Sequence, residues 1–196
     1  MKKSHDETLA DLRRAAYAAA ADHDHDVKTD PEYAAAAEKL MGPTTAPEAK
    51  VEATKAAALE ELIRLGEAGF IGIAQRQALR AGFGGEERQF FYNMVVDLAA
   101  YIAAMPKTYE QDGAGDAAVV HLHYFVGGCD WYITEKDSEA EQLQAFGWAD
   151  LGYGGELGYI WLAEITAAGA ELDLYWTPRP LADIKAKREE GKFSEK

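Results

Sequence analysis

Residues 118–135 read AVVHLHYFVGGCDWYITE, the one long run dominated by β-branched and aromatic residues. Val120, Leu122, Tyr124 and Val126 alternate with Val119, His121, His123 and Phe125, the period of two that gives a strand two different faces. Gly127 and Gly128 break the run and supply the positive φ that a tight turn needs, with Cys129 and Asp130 just beyond. Trp131, Tyr132, Ile133 and Thr134 run back as the partner strand. The stretch predicts a β-hairpin, with His121 and His123 on one strand face.

Toward the C-terminus, residues 136–142 read as an acidic turn and residues 143–149 as a third strand, with Phe146 and Trp148 on one face. A glycine-rich loop at 152–155 precedes an extended piece at 158–161, then a short helix over 162–168 that Gly169 stops. The alternation in ELDLYWT predicts a strand over 171–177, ended by Pro178-Arg179-Pro180. An amphipathic helix starts at Leu181 and frays into a charged tail, 186–196.

Toward the N-terminus, residues 86–105 carry Phe90, Phe91, Met94, Val95, Leu98, Tyr101, Ile102 and Met105 on one wide helical stripe. Such a stripe predicts a buried core helix, stopped by Pro106. Shorter helices are expected over 71–81 and 48–65, and further ones over 31–41, behind the cap Asp30-Pro31, and over 4–21. The two around Gly66–Gly69 resemble a helix-turn-helix with Gln75, Arg76, Gln77 and Arg80 as readers, although polar residues on a short helix usually form its wet face. The fold class expected is α+β: a helical region over 1–85, an α+β domain over 86–185 with a small antiparallel sheet and one or two helices, and the tail.

The chain of 196 residues carries 34 acids against 20 bases, a formal charge of −14. Residues 1–105 contribute −5, residues 106–180 contribute −10 and the last sixteen +1. Such a surface repels phosphate backbones, so no direct nucleic-acid partner is expected, and it suits a basic groove on another protein. Cys129 is the only cysteine, which excludes an intrachain disulfide and a multi-cysteine zinc site. The pairs His23/His25 and His121/His123 invite a metal, but neither has a third ligand in its own stretch, so no metal or other cofactor is expected. No apolar run approaches a membrane span and the first residues lack a secretory apolar core, which predicts a cytoplasmic protein with no membrane partner. No nucleophile elbow, metalloprotease helix or phosphate loop appears, and the expectation is that the chain is not an enzyme.

The runs MPKTYEQDGAGDAAVVHLHYFVGGCDWYITEKD, QAFGWADL, ELGYIWLAEI and ELDLYWTPRPLADI follow one another through roughly residues 105–185. In that order they resemble the domain of unknown function 2958 family, found in phage, plasmid and integrated-element proteins. The resemblance implies a small α+β domain in a mobile-element setting and carries no catalytic residues across. Together with the charge it leads to an expected function: an accessory protein that inhibits a nucleic-acid-handling host defence complex, of anti-CRISPR or anti-restriction type, by filling its basic groove. The residues expected to make the contact are Asp112, Asp116, Asp130, Glu135, Asp137, Glu139 and Glu141, with Trp131 and Trp148 as exposed anchors. An adaptor docking on a replication or DNA-modification enzyme, or an uncharacterised enzyme, are the alternatives, and monomer and homodimer both stay open.

Overall fold

The computed structural model describes residues 52–194, with side chains through Glu189. The helices expected over 4–21 and 31–41, the start of 48–65 and the His23/His25 pair lie outside the described residues. The described residues fall within one compact unit. Three helices come first: α1 (Lys55–Glu67), α2 (Ile73–Gly82) and α3 (Arg88–Ala103). Short β1 (Val119–Val120) leads into β2 (Leu122–Val126) and β3 (Cys129–Glu135), followed by β4 (Ala145–Asp150) and β5 (Gly155–Ile160). Helix α4 (Leu162–Ala167), β6 (Glu171–Leu172), β7 (Arg179–Pro180) and α5 (Leu181–Ser194) complete the order.

Strands β5-β4-β3-β2-β6 form a five-stranded antiparallel sheet, and β1 pairs separately with β7. The hairpin is as expected, with Val126 opposite Cys129 and φ of +53° and +89° at Gly127 and Gly128, the signs of a primed turn. Because the central strand β3 alternates Tyr132 and Ile133, the sheet has apolar groups on both faces and needs two covers. On one face Leu122, Tyr124, Ile133, Ala145 and Ile160 pack with Leu62, Val95 and Ile102 of the N-terminal helices and with Leu162 of α4. On the other, Val120, Tyr132 and Trp148 pack with Leu181 and Ile184 of α5, with Trp176 alongside.

The helices form for local reasons. Thr54 caps α1, its Oγ1 accepting from the Ala57 N–H, and Ala58, Leu62 and Leu65 make the buried stripe. Gly69, at φ +84°, closes that helix in a Schellman turn in which Phe70 N–H donates to the Leu65 carbonyl. Lys136 Nζ donates to the Ile102 and Ala103 carbonyls, satisfying orphan acceptors at the end of α3. Burial, reinforced by Lys107, holds the Lys136 ammonium below its ordinary pKa, against the opposing pull of Glu110.

Several expectations are corrected. The helices do not separate from the sheet at residue 85. Tyr124, fully buried, donates its hydroxyl to the Phe70 carbonyl at 2.9 Å, and α1, α2 and α3 share one core with the strands. Phe90 is 50% exposed, because the stripe that buries runs through Tyr92, Val95 and Ile102 instead. The 171–177 strand stops after Leu172: Asp173 turns the chain, its carboxylate accepting from Tyr175 N–H and its carbonyl from Trp176 N–H. Arg179-Pro180 does not merely end a strand but pairs with β1. The tail begins no earlier than the end of α5, which is helical through Ser194.

Leu62 is 2% exposed at the centre of the larger core. Leu62→Ala should cost about 2–5 kcal/mol in chemical denaturation, and Phe90→Ala less than about 0.5 kcal/mol. Equal midpoints for the two variants would contradict the packing described.

Candidate functional site

Two irregularities of the hairpin decide which side chains meet. At His121, the N–H donates to the Ile133 carbonyl at 2.7 Å while Leu122 is the register partner of Ile133, so two residues oppose one. Such a bulge shifts the alternation. His121 therefore faces α3, sharing a 2.7 Å hydrogen bond with the Tyr101 hydroxyl, whereas His123 stacks on Tyr132 on the opposite face, ring centroids 4.7 Å apart. The two histidines do not share a face and do not converge on one site. Among the described residues no group of three or more metal-ligating side chains comes together.

The second bulge lies between Ile133 and Glu135 on β3, where the register with β4 moves by one residue. It places Glu135 opposite Phe146, on the face away from Ile133. There the buried carboxylate accepts the backbone N–H groups of Tyr109 and Gln111. The Gln111 amide continues the work, donating to the Val119 and Thr134 carbonyls and accepting from Val119 N–H. The loop over 107–118 is thereby pinned across the sheet.

Under this loop lies a cavity of about 430 Å³, floored by Thr134, Glu135 and Phe146 and walled by Tyr109, Leu157 and Tyr159. Tyr109 is held at φ +76°, a left-handed conformation uncommon for a bulky residue. Its hydroxyl meets that of Tyr159 at 2.9 Å, and that contact raises the Tyr159 pKa above its ordinary value. Both rings are exposed, at 68% and 55%. The Thr108 hydroxyl donates to the Lys136 and Gln144 carbonyls, so the 107–113 and 137–144 loops lie side by side. The two loops at this end of the sheet carry the exposed carboxylates of Glu110, Asp112, Glu139 and Glu141; Asp112 shares the cavity lining with Tyr109 and Tyr159, whereas Glu139 lines a separate hollow with Lys107 and Lys136.

The remaining expected site residues fall elsewhere. Asp137 is buried, and with Gln142 it builds the frame of its own loop. Burial alone would push its carboxyl up, but the N–H groups of Glu139, Gln144, Leu143 and Ser138 outweigh this and hold it below the usual range. Asp130 accepts from His123 at 2.8 Å and from Arg188 at 2.7 Å, and Arg188 reaches buried Asp150 at 2.8 Å. His123 also lies 3.4 Å from Asp173. Arg188 in turn donates to the Tyr132 hydroxyl at 3.1 Å. The guanidinium pKa is raised, the bonds from Asp130 and Tyr132 outweighing the burial that would lower it. Asp116 pairs with Lys185 of α5. Trp148 is 6% exposed and packs under α5, and Trp131 is half-buried on the helical face, so neither serves as an exposed anchor. Gln75 is no reader of DNA either, its amide bonding both backbone groups of Leu172.

Sequence reasoning missed Tyr109, Leu157 and Tyr159. Tyr109 is a single aromatic in a polar loop and Leu157 and Tyr159 stand on a short glycine-interrupted strand, so none carries a strong periodic signal, and only the bulge and the left-handed turn bring them together.

Two outcomes test the buried charges. Arg188→Ala removes the cation between Asp130 and Asp150. It should cost on the order of 3 kcal/mol, the low end for a broken buried pair because Arg188 is partly wet, read as a fall in urea midpoint. Asp137, with its pKa lowered on folding, adds stability above its unfolded value near about 4, which is lost as pH falls through the lower folded value. Asp137→Asn should therefore lower stability at pH 7 and flatten the acid limb of a stability–pH profile. An unchanged acid limb would show that Asp137 is not held as described.

No helix among the described residues is long and apolar enough to cross a membrane. No curated protein and no solved structure matches the chain. The family model described as a protein of unknown function, DUF2958, matches residues 91–178, from the first turns of α3 to the residue before β7. That span holds both bulges, the pinned loop and the cavity, while Gln75 and Arg188 lie outside it. Residues 91–178 are a domain of the DUF2958 family.

Proposed function

We propose that the protein is a binding module that presents the acidic, aromatic end of its sheet to a basic groove of a nucleic-acid-handling complex, and so inhibits it. The host defence systems of the sequence-based expectation, restriction enzymes and RNA-guided nucleases, are the class of partner it suits. The observation that carries this reading is the division of labour among the carboxylates. Asp130, Glu135, Asp137 and Asp150 are spent inside the fold, while Glu110, Asp112, Glu139 and Glu141 stay exposed on the two loops at the end of the sheet that carries Tyr109 and Tyr159. Charges placed this way steer encounter with a basic surface, and rigid aromatic rings supply the contact area that charge alone lacks. The mobile-element setting implied by the family resemblance agrees with such a role.

Reversing Asp112, Glu139 and Glu141 together to lysine changes exposed positions only. The variant should keep its melting temperature within a few degrees. Immobilised parent protein should capture a basic complex from bacterial lysate, added duplex DNA or RNA should displace that complex, and the triple variant should capture at least about ten-fold less at physiological salt, where the screening length is about 8 Å. Capture that resists both nucleic acid and charge reversal would contradict groove filling.

A further inference from the structure

The two edges of the five-stranded sheet are treated differently. At β6, Gln75 sits as a surrogate strand, its Nε2 donating to the Leu172 carbonyl at 2.7 Å and its Oε1 accepting from Leu172 N–H at 3.1 Å. At β5 the six residues GELGYI pair with β4 in unbroken register from Gly155 to Ile160. The strand has no proline, lysine, arginine or bulge, which are the usual devices that keep a sheet edge from pairing, and its one charge is Glu156. Register places Leu157 opposite Trp148 and Tyr159 opposite Phe146, so both side chains stand on the face that carries the Tyr109 cavity. They are 46% and 55% exposed.

We propose that β5 is a docking edge that takes an extended, lysine- or arginine-bearing segment of the partner as a further strand, with a cationic side chain entering the Tyr109–Tyr159 cavity. This rests on the reading that the acidic end of the sheet meets a basic partner, and it specifies how. An added strand lies about 4.8 Å beyond β5 and turns alternate side chains to the face of Leu157 and Tyr159. A side chain from that row reaches a cavity with two phenol rings in its wall and the exposed Asp112 carboxylate at its lining. Phenol faces and carboxylates both attract a cation. At about 430 Å³ the cavity is roomy enough for a butylammonium or propylguanidinium stem. A second copy of this chain is the poorer occupant. It brings another charge of −14 and another Glu156 to an edge that is already acidic.

The test uses the full chain and two synthetic peptides of equal charge, acetyl-KVKVKVK-amide and acetyl-KPKPKPK-amide, the second unable to donate backbone hydrogen bonds from its proline positions. Titration calorimetry at about 50 mM salt, where screening reaches only about 14 Å, should give at least ten-fold tighter binding for the valine peptide. Amide exchange at residues 155–160 should slow in its presence. Tyr159→Ala and Asp112→Asn should each weaken binding several-fold with the melting temperature unchanged. Equal, salt-sensitive affinity for the two peptides overturns strand addition and leaves the acidic-surface reading standing. Binding of neither peptide overturns both. Valine-peptide binding that leaves the β5 amides unaffected overturns the docking edge. A doubled solution mass with β5 amides already protected in the free protein also overturns it, in favour of a second copy.

Discussion

The central strand β3 has apolar side chains on both faces, and the rest of the architecture answers that constraint. Ile133, with no exposure, faces α1, α3 and α4, and Tyr132 faces α5. A strand buried on both sides cannot be served by a single layer of helices. The N-terminal helices are therefore part of the sheet's core rather than a region of their own. The C-terminal helix is equally required, since Leu181 and Ile184 close the second face. Covering that face also buries polar groups, and the Arg188 network with Asp130, Asp150 and Tyr132 keeps them paired.

A regular hairpin with these residues would make a plain sheet without a cavity. The two bulges change that by turning His121 toward α3 and Glu135 toward the opposite face. Once Glu135 is there, its carboxylate fixes Tyr109 and Gln111, and Gln111 ties β1 to β3 with its amide. Tyr109 then meets Tyr159 over a hollow that the loop cannot fill. The hollow between Tyr109 and Tyr159 is a consequence of register, not of a motif.

That is also why so much of the fold was legible and so little of the site. The hairpin, the core helix and the Gly169 stop are written in local patterns: alternation, a 3.6-residue stripe and a glycine that can take φ +99°. Bulges leave no such mark, because inserting one residue changes the face of every residue after it without altering composition. Three glutamines were misread or passed over for a related reason. Gln75, Gln111 and Gln142 each bond backbone groups far from their own chain neighbours or across a turn, and glutamine on a surface helix or loop reads as solvent-facing. The acidic residues misled in the same way: Glu135 and Asp137 sit in an acidic run yet are buried, since backbone N–H groups solvate them in place of water.

The exposed carboxylates that remain, together with the aromatic rings at the same end of the sheet, carry the functional reading. Helix α2 presents the competing surface, with Arg76, Gln77 and Arg80 on or near its wet side. Hydrogen exchange of the protein alone and in its captured complex separates the two directly. Binding through the acidic end predicts new protection at β5 and over residues 107–113, with α2 exchanging as in the free protein. Protection confined to α1 and α2, with β5 and the 107–113 loop unchanged, would contradict it.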